Sequence, residues 1–265
     1  MRLKLIIAYD GRPFQGWQSQ PSKNTVQDHL EAAATDLVGG SPKIHIHGSG
    51  RTDTGVHALG QVAHFDPPED SRLTPPDWIR ALNAKLPPEI RIIDCSETDP
   101  DFHARFSAIG KTYCYEIITG RVLPPLQNGL AWHVPVELDL DRLRAALTLF
   151  QGTHNFANFA AFRGTETEAQ KADPKSTTRT IHAATLKQPA PDKLTLIFNG
   201  TGFLYKMVRL LTGSALRVAS GRDDLQSLHQ LLHEPTQHEK SNHCAPPDGL
   251  YLVEVAYPNQ NSAPV

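Results

Sequence analysis

Residues 48–58 read Gly-Ser-Gly-Arg-Thr-Asp-Thr-Gly-Val-His-Ala. Arg51 stands two residues before Asp53, and His57 four residues after it. The glycines at 48, 50 and 55 lack a Cβ, so the backbone can bend sharply and a ligand can come close. The runs on either side, 43–47 and 60–66, are strand-like. The stretch therefore reads as a connector between two strands. A carboxylate on such a connector is either a turn cap or a reactive group, and spacing alone leaves both open.

Working outward, Leu3, Leu5 and Ile7 alternate with polar positions, as in a half-buried strand. Thr25 followed by Asp28 resembles a capping box opening a helix. Val26, Leu30, Ala33, Ala34 and Leu37 give that helix an apolar face, and Gly39-Gly40 ends it. Downstream of the connector, a helix is expected over 76–86 and a strand over 90–95. The order is β-α-β-β-α-β. The second half repeats it: a strand at 112–118, a helix at 139–150, strands at 181–187 and 193–199, a helix at 203–218 and a final strand at 250–257. A further helix at 224–232 precedes that last strand. The fold class is α+β, two ferredoxin-like units with antiparallel sheets and helices on one face. The expected division is 1–107 for an N-terminal domain carrying the Asp53 turn and 108–265 for a C-terminal domain completing the cleft. Residues 162–180 mix Arg163, Lys171, Lys175 and Arg179 with Glu166, Glu168 and five threonines, without periodicity. They read as a surface loop.

The chain has 265 residues, enough for one large or two small domains, with 39% hydrophobic and 20% charged residues. No apolar run approaches the ~20 residues that span a bilayer. Met1 leads directly into an alternating strand with no apolar core long enough for a signal peptide, so a cytoplasmic location is expected. Cys95, Cys114 and Cys244 are odd in number and far apart, which argues against a disulfide framework. Charge is segregated. Residues 66–101 carry nine acids against four bases, leaving +3 over the rest of a chain whose net charge is −2. Residues 200–222 hold Lys206, Arg209, Arg217 and Arg222 and no acid. Such a chain can bind phosphate on one face while staying near neutral overall, although a solvated surface helix reads the same way.

His233, His238, His243 and Cys244 crowd one region, but there is no C-x-x-C pair and no H-E-x-x-H helix, so no metal site is expected. A P-loop and a dinucleotide-binding glycine fingerprint are absent too. Cys95 and Cys114 lie in strand patterns, where inert thiols are normal. What remains is Asp53 with Arg51 and three outlying segments. Phe102-His103-Ala104-Arg105 leads to Lys111-Thr112-Tyr113-Cys114-Tyr115, alternating cations with aromatics. Residues 202–209 place Lys206 and Arg209 three apart, on one face of the expected helix. Gly249-Leu250-Tyr251-Leu252 begins the last strand. Aromatics beside cations suit a base stacked on a ring with its phosphates clamped; singly, each equally fits a core aromatic beside a surface charge.

Ala8–Gly11, Gly16–Gln18, Gly48–Asp53, Gly55–Ala58 and Gln61–Phe65 resemble the tRNA pseudouridine synthase A family. So do Phe102–Arg105, Lys111–Tyr115, Gly152–Phe156, Gly202–Arg209 and Ala245–Leu252, in family order over nearly the whole chain. Two positions depart from the family pattern: Thr54 replaces the usual alanine and Thr201 the usual asparagine. The resemblance implies isomerisation of uridine to pseudouridine at positions 38, 39 and 40 of the tRNA anticodon stem-loop, by a homodimer with no cofactor. It implies Asp53 as the essential carboxylate. Arg51 would fill the space of the flipped base or hold a phosphate, and Tyr113 would stack on the uracil. Leu250 would close the apolar wall, and Arg209 would pair with Asp53. Lys111 and Lys206 would contact RNA. Two other classes compete: a non-catalytic tRNA-binding protein on the same scaffold, and an aspartate-dependent glycoside hydrolase. The latter needs a second nearby carboxylate, which the matching motifs lack.

Overall fold

The computed structural model describes residues 1–161, 177–234 and 240–258. The expected loop therefore lies largely outside the described residues, as does His238. The chain divides into two compact units, Met1–Ile109 with the chain from Tyr251 onward, and Gly110–Leu250.

The first unit runs β1 (Arg2–Tyr9), α1 (Val26–Leu37), β2 (His47–Gly48), β3 (His57–Phe65), α2 (Pro75–Lys85) and β4 (Ile90–Thr98). β1 lies between β4 and β3, antiparallel to both, with Leu5 opposite Ala63 and Cys95. Alternate side chains of β1, Leu3, Leu5 and Ile7, are fully buried, as a half-exposed strand requires. Trp78 and Leu82 of α2 pack beneath the sheet, with the Trp78 ring edge-on to Phe65 at 5.1 Å. Thr25 caps α1 as expected, accepting from the Asp28 amide at 3.2 Å. Thr74 and Asp77 cap α2 reciprocally.

Two features of this unit differ from the sequence reading. The strand expected at 43–47 shrinks to His47–Gly48. Its backbone is captured by side chains of α1 instead: Ile44 N–H donates to Thr35 Oγ1 at 3.0 Å and Ile46 N–H to Glu31 Oε1 at 3.2 Å. Gln27 Nε2 donates to Ile46 O at 3.0 Å. The strand β10 (Leu250–Ala256) pairs in parallel with β3, Tyr251 opposite His57 and Leu252 opposite Ala58, so from Tyr251 on the chain belongs to the first unit. A linear cut at 107/108 assigns those residues to the second. β2 pairs with β3 farther along, at His64 and Ala63.

The second unit runs β5 (Gly110–Ile118), β6 (Trp132–His133), α3 (Leu140–Leu149), β7 (Gly152–Asn155), β8 (Thr178–Ala190), β9 (Lys193–Gly200), α4 (Met207–Ala219) and α5 (Leu225–His233). β5, β9, β8 and β7 form an antiparallel sheet in that order, and β6 pairs with β5. Residues 178–180 of the expected loop are strand, because the short edge strand β7 pairs with them. Leu143, Leu147, Phe150, Phe198, Leu211 and Ala215 fill the core between helices and sheet. α4 starts at Met207, four residues later than expected. Lys206 takes the left-handed conformation at φ 59° and ends the preceding turn, where Met207 N–H donates to Leu204 O. Arg209 is therefore in the first turn of α4, and Lys206 does not share its helical face. Among the described residues no helix is long and apolar enough to cross a membrane.

The two units are the ferredoxin-like repeats of an α+β fold. Cys95 and Cys114 are free thiols pushed up to about 12 by burial, hence inert.

Candidate active site

The Asp53 turn is fixed by groups from β1, β3 and the segment before α1. Thr52 is buried, and its Oγ1 lies 2.8 Å from the Tyr9 hydroxyl. Trp17 N–H donates to Thr52 O at 3.1 Å, and Val56 N–H to Asp53 O at 3.1 Å. Gly55, at φ +80°, completes that turn in a conformation L side chains rarely adopt. Gly16 must also be glycine: at φ +82°, a Cβ there would stand 2.7 Å from Thr52 O. On the other flank, Ser49 N–H donates to Val62 O at 2.7 Å, and Gln61 Nε2 to Gly50 O at 3.0 Å. Arg51 and Thr54 are exposed, and Asp53 is half-buried. The exposed Arg51 donates through Nε to Gln18 Oε1 at 3.1 Å.

Behind the turn, His57 is 1% exposed. Its Nδ1 accepts from Gly11 N–H at 3.2 Å and stands 3.2 Å from Asp10 Oδ1. Burial raises the Asp10 pKa, but hydrogen bonds from the Arg12 side chain and backbone and the nearby Arg12 charge outweigh it and hold the carboxyl below its ordinary value.

The other sequence-predicted residues lie in the second unit. Tyr113 of β5 is 9% exposed and meets Phe203 edge-to-face at 5.2 Å. Lys111 is two residues earlier on the same strand, hence on the same face. Arg209 Nε donates to Ala245 O at 2.7 Å, and Ala245 N–H donates back to Arg209 O at 3.1 Å. This pair holds the start of α4 against the segment leading into β10. Leu250 is buried and its N–H donates to Pro247 O at 3.0 Å. The Lys206 ammonium lies 5.4 Å from the centre of the Tyr205 ring.

Among the described residues no group of three or more His, Cys, Asp or Glu side chains could hold a metal ion. A model of the tRNA pseudouridine synthase family matches residues 5–107 and 146–258. The chain belongs to that family. It is 48% identical to the tRNA pseudouridine synthase A of Akkermansia muciniphila, over 98% of this chain and 96% of that one. It is 41% identical to the enzyme of that name from Latilactobacillus sakei and 40% to one from a Geobacillus species, with at least 97% of each chain covered.

The polar residues beneath the turn carry little chemical signature in the sequence. Tyr9, Thr52 and Gln61 each look like ordinary strand or turn positions. The one signal available is Gln61 itself, a polar residue in the strand run 60–66 whose side chain is fully buried in the fold. Of the two departures from the family pattern, Thr54 and Thr201 are both exposed. Thr201 accepts from Thr180 N–H at 3.4 Å, which ties it to the sheet.

Proposed function

We propose that this chain converts uridine to pseudouridine at positions 38, 39 and 40 in the anticodon stem-loop of tRNA, with Asp53 as the essential carboxylate. The C1′–N1 bond breaks, the uracil turns in place, and C5 bonds to C1′. The proton displaced from C5 is balanced by protonation at N1. Substrate and product have the same atoms and oxidation level, so the reaction calls for no redox cofactor. Family membership supports the chemistry. The observation that carries the site assignment is the turn itself, which pins residues 49, 50, 52 and 53 to the scaffold and leaves the Asp53 side chain half-exposed.

In this reading the target base leaves its stack at a cost of a few kcal/mol. Exposed Arg51 takes the vacated space or a neighbouring phosphate. Tyr113 stacks on the uracil, its ring held by Phe203. Leu250 supplies apolar wall, and Lys111 and Lys206 bind phosphate. Arg209, in the first turn of α4, pairs with Asp53 and keeps it ionised and oriented. Asp53 acts as nucleophile or as base toward a sugar proton. The enzyme works as a cytoplasmic homodimer.

The Asp53→Asn variant tests this. Tritium release from C5-labelled anticodon stem-loop should vanish while tRNA affinity stays near that of the parent, because binding comes mainly from phosphate contacts. Turnover by the variant overturns the assignment of Asp53. A parent protein that binds tRNA but releases no tritium is a binding protein instead.

A further inference from the structure

Four polar side chains lie in the core under the Asp53 turn: Tyr9 at 4% exposure, Ser49 at 2%, Thr52 at 6% and Gln61 at 0%. They form two bonded sets on either side of Arg51. The Tyr9 hydroxyl meets Thr52 Oγ1 at 2.8 Å. Ser49 Oγ donates to Gln61 Oε1 at 2.7 Å, and Gln61 Nε2 donates to Gly50 O at 3.0 Å. Buried polar groups are costly unless satisfied, and an apolar set of the same shape fills a core as well. Satisfied sets of this kind specify one arrangement of the backbone that carries them. Here that backbone is Ser49–Thr52, the residues immediately before Asp53.

We infer that Tyr9 and Gln61 are positioning residues for Asp53, holding the Arg51-Thr52-Asp53 segment from below so that the carboxylate meets the reacting ribose and base in one geometry. The inference rests on the proposed role of Asp53 and goes beyond it. Tyr9 and Gln61 touch no substrate. They act through Thr52 and Gly50, whose atoms they bind. β1 and β3, which carry Tyr9 and Gln61, are paired antiparallel, so the anchor points are rigid relative to one another. The loop's freedom is thereby reduced to the side chain of Asp53.

The test compares Tyr9→Phe, Thr52→Val, the double variant and Thr52→Ser, with Asp53→Asn as reference. In Tyr9→Phe and Thr52→Val, kcat should fall on the order of 10- to 100-fold with KM and tRNA affinity within about twofold, as for a misplaced reacting group. Thr52→Ser keeps the hydroxyl and should restore most of kcat. The double variant carries the discriminating outcome. Removing both partners leaves no unpaired polar group, so thermal stability should return toward that of the parent while kcat stays as low as in either single variant. Recovery of kcat together with stability assigns these residues to folding alone and overturns the inference. So do single variants with kcat within twofold of the parent when Asp53→Asn is inactive. Turnover by Asp53→Asn overturns the underlying reading instead.

Discussion

The imidazole of His57 stacks on the ring of Tyr251, centroids 4.6 Å apart and planes at 21°. His57 begins β3 four residues after Asp53, and Tyr251 is the second residue of the last strand. The contact, with the Tyr251–His57 strand pairing beneath it, fastens the last strand to the base of the Asp53 turn. Tyr251→Ala should therefore destabilise the first unit by about 1–2 kcal/mol, the aromatic pair plus part of its buried area. Tyr251→Phe, which keeps the ring, should cost far less. Urea unfolding of both variants checks this; equal midpoints would show that the stack contributes nothing.

RNA affinity should fall steeply with salt although the net charge is −2. Arg51, Lys111 and Lys206 are the proposed phosphate contacts, and each releases counterions. Three contacts give a slope of log K against log salt of roughly −2 to −3. A titration of anticodon stem-loop across a salt series measures it directly. A flat response would favour a small-molecule substrate.

If Arg209 pairs with Asp53 as proposed, Arg209→Gln should lower kcat by roughly 100-fold or more while leaving tRNA affinity within several-fold, because the guanidinium would then act on the carboxylate more than on phosphate. Arg209→Lys should recover only part of the rate, since an ammonium cannot reproduce both the Ala245 bond and a second contact. A crystal structure with bound RNA should place the guanidinium within hydrogen-bonding distance of Asp53. A guanidinium turned away from Asp53 would mean that another cation holds the carboxylate ionised.

His64 gives the fold a defined acid sensitivity. It is 2% exposed, accepts from Ala104 N–H through Nδ1 at 3.1 Å, and has the His47 and His103 rings beside it. Burial, reinforced by His103, Arg2 and His47, pushes its pKa from 6.5 down to about 4. The folded state thus favours the neutral ring. Its contribution is fully present above pH 6.5 and is lost as pH falls from there through about 4, on the order of 3 kcal/mol in all. The depressed carboxylates Asp10, Asp28 and Asp66 act lower, from their ordinary 3.8 downward. Denaturant midpoints at pH 7.5, 6, 5 and 4 should fall less steeply in His64→Asn than in the parent. Parallel curves would remove His64 as the cause.

The sequence by itself determined the elements and their order. Alternating Leu3, Leu5 and Ile7, the Thr25 cap and the repeated β-α-β-β-α-β pattern are local signals, set by side-chain period and by hydrogen bonds between near neighbours. The Arg51-Thr52-Asp53 motif and its companions likewise carried the family. Only the tertiary structure decided where residues meet through distant partners. Ile44 and Ile46 are captured by α1 side chains and lose their strand, the start of α4 is delayed by the left-handed Lys206, and the last strand returns to the first unit through Tyr251. The same holds for Tyr9 beneath Thr52, 43 residues away. A buried hydroxyl needs a partner, but nothing local says which group supplies it. That choice is made when two strands and a turn are brought to hydrogen-bonding distance by the packing of the whole unit.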